Sequence, residues 1–500
     1  MESSSFFRPL VFSTYLLENN LFGLNSSISH AINLIIHLCN IILSYSLSKI
    51  LFKKFNIKNK FFIKSFIVAL IFAIHPTQIE AIAWVSGRFD LMATFFSFIS
   101  LIFFLKDSVS KKYIFLGSIS WFLALFCKES AVLILPILIF IYIAMQRNIG
   151  YIKSFKKTIL DNKNIIFSLL FVFILYLLFR FSSLNTKIIQ VNYGLSEILS
   201  PVDRVLLVFF YIFEYTKQAI FPFTSVGPIH LFVDDILGSF IWYLYSFGGV
   251  FISFITIIGL FYKRVEAIFF TLFLIAISLV LQIIMVFSGW NCISDRFLYF
   301  PIFFMMMCMS IVISLIINNV KKIKRIILSF LIIWICFLGY TTYYIVPFWK
   351  NNITLWGWQY IKTDNSYARD SYLNELLRLN KLDILESEFK KLNMKYAEKG
   401  FDPRLQLMYS TFLVRKGDQE SIYYLKGLLS GFVLDKNGLP IIKNVDVRKD
   451  YVEINIQLAQ AYLFIKKDRE QALHILNILQ KVSPNHSNVK RLENMLNHNQ

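Results

Sequence analysis

Cysteine is scarce in this sequence of 500 residues, and the cysteines that occur are dispersed along the chain. The five are Cys39, Cys127, Cys292, Cys308 and Cys336, and no two of them form a Cys-x-x-C pair. This spacing excludes a disulfide framework and gives no indication of a zinc site. Most of them lie in apolar segments, where a small buried thiol is the simplest interpretation.

Acidic residues are also few, with 31 Asp and Glu against 51 Lys and Arg and a formal net charge of +20. This excess does not indicate affinity for nucleic acid, because the basic residues gather in short segments between apolar runs. That pattern orients a chain in a bilayer. A leading basic stretch followed by an apolar core is missing, so we predict no cleavable signal peptide.

Apolar residues are abundant, since 56% of the chain is hydrophobic and 53 residues are Phe. Many apolar runs approach the roughly 20 residues that a membrane-spanning helix needs. The sequence therefore predicts an all-α, polytopic helical membrane bundle of about ten spans. The predicted spans cover 29–51, 66–74, 91–105, 113–126, 131–145, 165–181, 240–262, 267–287, 297–317 and 326–346.

One apolar segment does not fit a simple count of spans. Segment 205–221 carries Glu214 and Lys217, and treating it as a span would place the later basic loops on the wrong side. We therefore predict a re-entrant or interfacial helix there. With the basic loops in the cytoplasm, the polar stretches 75–90 and 289–296 lie on the other side, together with both chain termini.

The composition changes near Trp349 to a polar, charged sequence with helical periodicity. We predict a transmembrane domain over 1–348 and a non-cytoplasmic domain of degenerate tetratricopeptide-like repeats over 349–500. Ala472 and Pro484 have the spacing of a second repeat helix and its terminal proline, and 416–418 is typical of a helix–helix turn. About two to four such units would stack into an α-solenoid that holds a partner or forms a rigid cap.

Ionisable residues stand out in the stretch 75–90, between two strongly apolar segments. Charges close to a bilayer are costly and usually functional, so Glu80, Arg88 and Asp90 are candidates for one polar pocket. The alternative is an ordinary membrane-edge loop in which Arg88 and Asp90 neutralise each other.

A polar stripe runs along the first span, where His30, Asn33, His37 and Asn40 are spaced by three or four residues. Such residues share one helical face. The stripe either faces a cavity or forms hydrogen bonds between helices.

The predicted outer segments together hold acids and bases, at Glu80, Arg88, Asp90, Lys128, Glu129, Asp295 and Arg296. This combination suits transfer from a lipid-linked sugar phosphate, because Arg or Lys binds the phosphate and a carboxylate deprotonates or orients an acceptor hydroxyl. A transporter or flippase would place its charges near the middle of the membrane, between inverted repeats, and neither feature is clear.

Four segments resemble a known family, the polytopic GT-C-type glycosyltransferases with C-terminal tetratricopeptide repeats. These are the transmembrane-and-TPR O-mannosyltransferases and their bacterial relatives. The resemblance rests on Phe7-Arg8-Pro9-Leu10 through Asn40, on His75-Pro76 through Asp90-Leu91, on Ser294-Asp295-Arg296-Phe297-Leu298-Tyr299-Phe300-Pro301, and on Trp349 through Trp356. A weaker fifth segment is Lys128-Glu129-Ser130.

The resemblance implies transfer of a hexose, often mannose, from a polyprenyl-phosphate carrier to a protein hydroxyl on the non-cytoplasmic side. It implies catalytic roles for Glu80 and Asp90. The residues implied in substrate binding are His75, Arg88, Lys128, Asp295, Arg296 and Tyr299, with Arg296 on the carrier phosphate. The expected partners are the lipid bilayer, the lipid-linked donor and a protein or peptide acceptor held by the repeats, with no nucleic acid, no metal ligands and no cofactor.

The sequence departs from the family at its start. The family begins with a further span and an acidic first outer loop, often Asp-Asp, that is taken to supply the catalytic base. Glu2 and Glu18 do not match that loop, so we expect an upstream segment or an inactive protein. The alternative function is a non-catalytic membrane scaffold whose repeats recruit partners. Usage rich in Lys, Asn, Ile and Phe favours a bacterial inner membrane as its location.

Overall fold

The computed structural model describes residues 7–57, 60–107, 110–146, 148–183, 199–223, 226–230, 236–281, 293–320, 324–395, 400–433, 435, 439–441 and 445–498. The chain divides into two compact units, Met1–Trp349 and Lys350–Gln500. Each unit is built from α-helices and short 3-10 turns, which confirms the predicted all-α class.

The helices of the first unit follow the apolar runs of the sequence. They are α1 (Pro9–Phe22), α2 (Ser26–Lys54), α3 (Phe61–Ile74), α4 (Ile79–Ala83), α5 (Arg88–Phe104), α6 (Lys111–Cys127), α7 (Ile134–Met145), α8 (Tyr151–Asp161), α9 (Lys163–Ser183), α10 (Pro201–Ile220), α11 (Phe240–Phe261), α12 (Val265–Ile277), α13 (Ile302–Asn319) and α14 (Lys324–Ile345).

Five helical segments in the described part of the chain are long and apolar enough to cross a membrane. A sixth arises if α3 and the following Pro76–Ala83 segment, bent by 53°, count as one span. This number indicates an integral membrane protein, but it is smaller than the ten predicted spans. The difference arises because several apolar runs, such as Glu129–Met145 and Val265–Val280, fold into helices of 10–17 residues.

The basic segment after α7 is a helix, where the sequence predicted a loop. In α8 the polar side chains of Ser154 and Thr158 face inward, whereas Ile152 and Phe155 are exposed beside exposed lysines. A short helix with exposed apolar and basic side chains is typical of one that lies along a membrane surface. The prediction was wrong because basic residues between two apolar runs have the same composition in a loop and in a short surface helix.

Helix α10 occupies the segment predicted to be re-entrant or interfacial and is not among the five candidate spans. It packs closely along α11, because a Cβ atom added at Gly249 would lie 1.9 Å from the Phe209 carbonyl oxygen. Its buried Glu214 carboxylate pairs with Lys217 at 2.6 Å. This internal pairing explains how an apolar helix carries both charges.

The second unit consists of successive helices. They are α15 (Asn352–Thr363), α16 (Ser366–Arg378), α17 (Leu382–Lys395), α18 (Pro403–Lys416), α19 (Glu420–Leu429), α20 (Val445–Ala461), α21 (Arg469–Val482) and α22 (Ser487–His498). The predicted turn at 416–418 is confirmed, since α18 ends at Lys416 and Gly417 adopts a left-handed φ of +79°. Assignment of these helices to tetratricopeptide repeats stays a prediction.

Candidate active site

The stretch 75–90 folds into three short helical pieces between α3 and α5. A 3-10 turn (Pro76–Gln78) leads into α4, and a second one (Val85–Gly87) leads into α5. Only glycine fits at position 87 without a shift of the backbone, because a Cβ atom there would lie 2.1 Å from the Ala81 carbonyl oxygen. The compact turn places Glu80 and Asp90 on neighbouring helices rather than in an open loop.

The polar stripe of α2 forms the hydrogen bonds that hold this stretch in place. The Asn33 amide group donates to the Trp84 carbonyl at 3.1 Å, and the Asn40 amide group donates to the Leu91 carbonyl at 3.0 Å. Of the two interpretations of the stripe, the structure therefore favours interhelical hydrogen bonding for these residues.

Tyr299 and His75 are both fully buried and have structural partners. The Tyr299 hydroxyl lies 2.8 Å from His37 Nδ1 and accepts from the Asn40 amide at 3.1 Å. His75 Nε2 lies 3.2 Å from the Ala219 carbonyl, so it carries the proton and Nδ1 accepts. The Tyr299 contacts attach the segment before α13 to α2, and the His75 contact attaches the end of α3 to α10. The predicted substrate-binding roles of Tyr299 and His75 stay predictions.

Glu80 and Arg296 meet directly, although 216 positions separate them in the sequence. The Arg296 backbone N–H donates to one Glu80 carboxylate oxygen at 3.0 Å, and its guanidinium pairs with the other. The same guanidinium lies 5.0 Å from the centre of the Trp84 ring. The structure thus brings two of the sequence-predicted site residues into one ion pair, in which Glu80 is buried and Arg296 is partly exposed.

Asp90 and Lys128 form a second ion pair, with Lys128 Nζ 2.5 Å from the carboxylate and both side chains 12% exposed. The Phe297 ring connects the two pairs, because it lies 5.2 Å from Lys128 Nζ and 5.1 Å from Arg296 Cζ. Burial lowers the pKa of Lys128, and the Asp90 carboxylate offsets this effect only in part. Because burial disfavours the ammonium form, a nearby anion stabilises the charge of Lys128.

A third charged group forms around Glu129 and includes two arginines that the sequence analysis did not assign to the site. Glu129 accepts from Arg8 at 2.9 Å and from Arg180 at 3.3 Å, so that two guanidinium groups share one carboxylate. Arg8 belongs to the Phe-Arg-Pro-Leu segment, and Arg180 is a lone cation near the end of the apolar helix α9. A single cation in an apolar helix is a signal that could have identified Arg180.

The Asp90–Lys128 pair and the Glu129 group line one cavity of about 350 Å³, whereas Glu80 and Arg296 are not among its described lining residues. Its charged lining residues are Arg8, Asp90, Lys128, Glu129 and Arg180. Most of the remaining lining is apolar and comes from α5, the segment after Lys128, the end of α12 and the segment that leads into α13. Those residues include Ala93, Leu133, Ile134, Ala276, Leu279, Val280, Phe297, Phe300 and Pro301. Such a cavity suits a molecule with an anionic head and an apolar chain.

Arg88 lies apart from this cavity, in the packed region between α1, α2 and α5. Its side chain is fully buried and pairs with Glu18 at 2.7 Å. Its remaining hydrogen bonds go to Asn33 at 2.9 Å, Ser29 carbonyl at 3.2 Å and Thr14 at 3.3 Å, and it lies 4.4 Å from the Tyr15 ring centre. Its predicted contact with substrate stays a prediction.

Asp295 is also fully buried and adjoins the Glu80–Arg296 pair through the chain. Its carboxylate accepts from the Gly227 backbone N–H at 2.8 Å and lies 3.4 Å from His230 Nε2. Asp295 therefore fixes the 3-10 turn that presents Arg296 and Phe297. In the described part of the chain, no cluster of three or more His, Cys, Asp or Glu residues has metal-binding geometry.

Comparison with known proteins finds similarity over parts of the chain. A segment of 88 residues, 17% of the chain, is 38% identical to the Homo sapiens protein O-mannosyl-transferase TMTC1 and covers 9% of it. A segment of 143 residues, 28% of the chain, is 30% identical to the Caenorhabditis elegans protein O-mannosyl-transferase F38B6.6 and covers 20% of it. A segment of 107 residues is 32% identical to the Homo sapiens protein O-mannosyl-transferase TMTC2 and covers 12% of it.

The matched segments thus span a fifth or less of these curated relatives. No protein-family profile matches the chain, and no solved structure matches it. The similarity supports the resemblance to the transmembrane O-mannosyltransferases that the sequence motifs indicated. Over part of its length, this chain is similar to curated protein O-mannosyltransferases.

Proposed function

We propose that this protein is a glycosyltransferase that moves a hexose, with mannose as the first candidate, from a polyprenyl-phosphate carrier to a protein hydroxyl. The observation that carries the proposal is the cavity whose lining combines five charged side chains with a larger apolar surface. A lipid-linked sugar phosphate has the same division between an anionic head and a hydrocarbon chain. The partial similarity to named protein O-mannosyltransferases supports the same class of reaction.

The charges of the cavity suit a phosphate. Three cations, Arg8, Lys128 and Arg180, face it against two carboxylates, Asp90 and Glu129. Guanidinium groups bind phosphate oxygens in pairs, and a lysine supplies a compact charge. In this proposal the carrier phosphate engages Lys128 and the arginines, while the apolar wall holds the first isoprene units.

The reaction then needs a base for the acceptor hydroxyl. When phosphate engages Lys128, the ion pair with Asp90 loosens and the Asp90 carboxylate is free to accept a proton. The acceptor oxygen attacks the anomeric carbon, the bond from that carbon to the phosphate oxygen breaks, and the carrier phosphate leaves with the electron pair. The hydroxyl proton passes to Asp90, which therefore acts as the general base.

The Glu80–Arg296 pair takes a supporting part in this scheme. Arg296 reaches the cavity wall through Phe297, and Glu80 fixes its position from behind. We infer that Arg296 steadies the leaving phosphate by its charge. Because the basic helix ends mark the cytoplasmic side, we place the cavity at the opposite, non-cytoplasmic face of the membrane.

Transfer of radiolabelled mannose from a polyprenyl-phosphate carrier to a serine- and threonine-containing peptide tests the proposal on the purified full chain. Asp90→Asn should lower the turnover number by about 100-fold or more, since a general base contributes at least that much. Lys128→Gln should raise the KM for the donor. The matched control is Lys153→Gln, which removes one charge from the exposed face of α8.

Two results would contradict the proposal. One is full transfer by Asp90→Asn and Lys128→Gln. The other is the absence of transfer by a folded wild-type protein in the presence of donor and acceptor, which would favour the scaffold alternative.

A second candidate function, a binding module for extended peptides, is favoured by a groove of about 850 Å³ in the second unit. Helices α16, α18 and α20 line it with apolar and polar side chains, among them Asn374, Leu407, Met408, Thr411 and Gln457. We propose that this groove holds the acceptor or a partner peptide. Fluorescence anisotropy with the acceptor peptide, comparing wild type with Asn374→Ala and Gln457→Ala, would test it, and unchanged affinity in both variants would refute it.

A further inference from the structure

A second cavity of the first unit, of about 470 Å³, has no part in the proposed reaction. It lies where the end of α2, the start of α3, the α11–α12 junction and the end of α13 come together. The lining residues are Asn56, Ile57, Lys64, Lys263, Arg264, Val265, Glu266, Ile311, Ser314, Leu315 and Asn318.

Two helices show that this cavity lies at the opposite end of the bundle from the candidate active site. Helix α12 begins at the second cavity with Val265, and the residues that follow its end, Leu279 and Val280, line the first. Helix α13 runs from Pro301 at the first cavity to Asn318 at the second. At a rise of 1.5 Å per residue these paths measure roughly 20–25 Å, which is comparable to the hydrocarbon thickness of a bilayer.

The second cavity is cationic. Lys64, Lys263 and Arg264 face it against a single acid, Glu266, whose carboxylate is engaged by Arg264 at 2.7 Å. Lys64 is half-buried and forms no ion pair with any described residue. The first turn of α12 adds to the positive electrostatic potential of the cavity, since no side chain caps its N-terminus. An anion of one or two charges would be stabilised here.

The surroundings of the cavity indicate a lipid surface. Phe62 is 53% exposed and Phe261 is 83% exposed, and these apolar side chains flank the cationic residues. The amphipathic helix α8 adjoins the same place, because Lys263 Nζ donates to the Ile149 carbonyl, just before α8, at 3.0 Å. A soluble anion would not contact the apolar side chains on the rim, whereas an acyl chain would pack against them.

We propose that this cavity binds the phosphate headgroup of an anionic phospholipid in the leaflet opposite the candidate active site. The phosphate lies between Lys64 and Arg264, and the acyl chains run along the exposed apolar residues of α3 and α11. Basic pockets between membrane helices on the cytoplasmic side are suited to such headgroups. The bound lipid would fasten the α2–α3 and α11–α12 junctions to each other.

Native mass spectrometry of the detergent-purified full chain tests this proposal, with dioleoyl phosphatidylglycerol and dioleoyl phosphatidylcholine as the two probes. Wild type should retain phosphatidylglycerol in preference to phosphatidylcholine. The double variant Lys64→Gln/Arg264→Gln should bind phosphatidylglycerol about 30-fold more weakly, which corresponds to ~1 kcal/mol for each cation removed. The matched control Lys153→Gln/Lys157→Gln removes the same charge from α8 and should retain the wild-type preference.

The variant Lys64→Arg/Arg264→Lys keeps both charges and should therefore retain phosphatidylglycerol. Elution of this variant and of Lys64→Gln/Arg264→Gln as monodisperse protein shows that a loss of binding is not a loss of folding. Equal retention of the two lipids by wild type would overturn the proposal, and so would an equal loss of binding in the α8 control. Displacement of phosphatidylglycerol by inorganic phosphate, with phosphate bound in its place, would assign the site to a soluble anion and also overturn it.

Discussion

The Arg88–Glu18 pair gives the sharpest test of how the site is built. Glu18→Gln keeps the shape of the side chain but removes the charge that neutralises a fully buried guanidinium. The carboxamide can still accept from the Ser29 hydroxyl, which bonds Glu18 in the native protein, but its NH₂ group cannot accept from Arg88. The change therefore leaves a buried charge without compensation.

Removing one partner of a buried ion pair lowers the free energy of unfolding by about 3–5 kcal/mol. For a unit of this size, each kcal/mol shifts the melting temperature by about 2 °C, so Glu18→Gln should lower it by about 6–10 °C. Scanning fluorimetry of the detergent-solubilised protein measures this shift. Replacing both residues, as in Glu18→Met/Arg88→Met, should restore much of the lost stability, because no charge then remains buried.

The difference in stability between wild type and Glu18→Gln should depend on pH. Burial alone would raise the pKa of Glu18, but the Ser29 hydroxyl and the Arg88 charge outweigh it and hold that pKa below its usual value. Stability from the pair is therefore fully present above the unfolded-state pKa of about 4.3 and is lost as pH falls through the lower folded-state pKa. A Glu18→Gln protein as stable as wild type at pH 7, or a double variant less stable than the single one, would refute this account.

Three further predictions concern stability and use melting temperature as the measurement. Gly87→Ala should destabilise the first unit strongly because its Cβ would lie 2.1 Å from the Ala81 carbonyl oxygen, whereas Gly150→Ala, with no atom within 4 Å, should not; equal effects would contradict this. Tyr299→Phe should cost about 2–4 kcal/mol by leaving two buried polar side chains of α2 without their hydroxyl partner, and an unchanged melting temperature would argue for a role in substrate contact instead. Asp402→Ala should cost about 1 kcal/mol through loss of the N-terminal cap of α18, which Asp402→Asn should largely retain.

Much of the first unit could be predicted from the sequence because apolar runs and basic segments alternate along it. The convergence of Glu80 and Arg296 was also accessible, since both belong to polar stretches on the predicted outer side. Hydropathy does not report how deeply each charged side chain is buried. Arg88 and Asp90 are two residues apart, yet one is packed against α1 and the other faces a cavity.

The missed residues have a common physical reason. Arg8 and Arg180 line the cavity and meet at Glu129, through contacts between segments more than 50 residues apart that no local pattern reports. Helix α8 was missed because lysines on a short helix and lysines in a loop give the same composition. Its exposed apolar side chains become meaningful only when their helical spacing is considered.

The contact between Glu80 and Arg296 also has a consequence for the synthesis of the protein. At a synthesis rate of about 5–20 residues per second, roughly 10–40 s pass between the addition of Glu80 and that of the arginine 216 positions later. During that interval the nascent bundle carries an unneutralised carboxylate near the lipid. A chain whose synthesis stops before residue 296 would therefore retain Glu80 without its arginine partner.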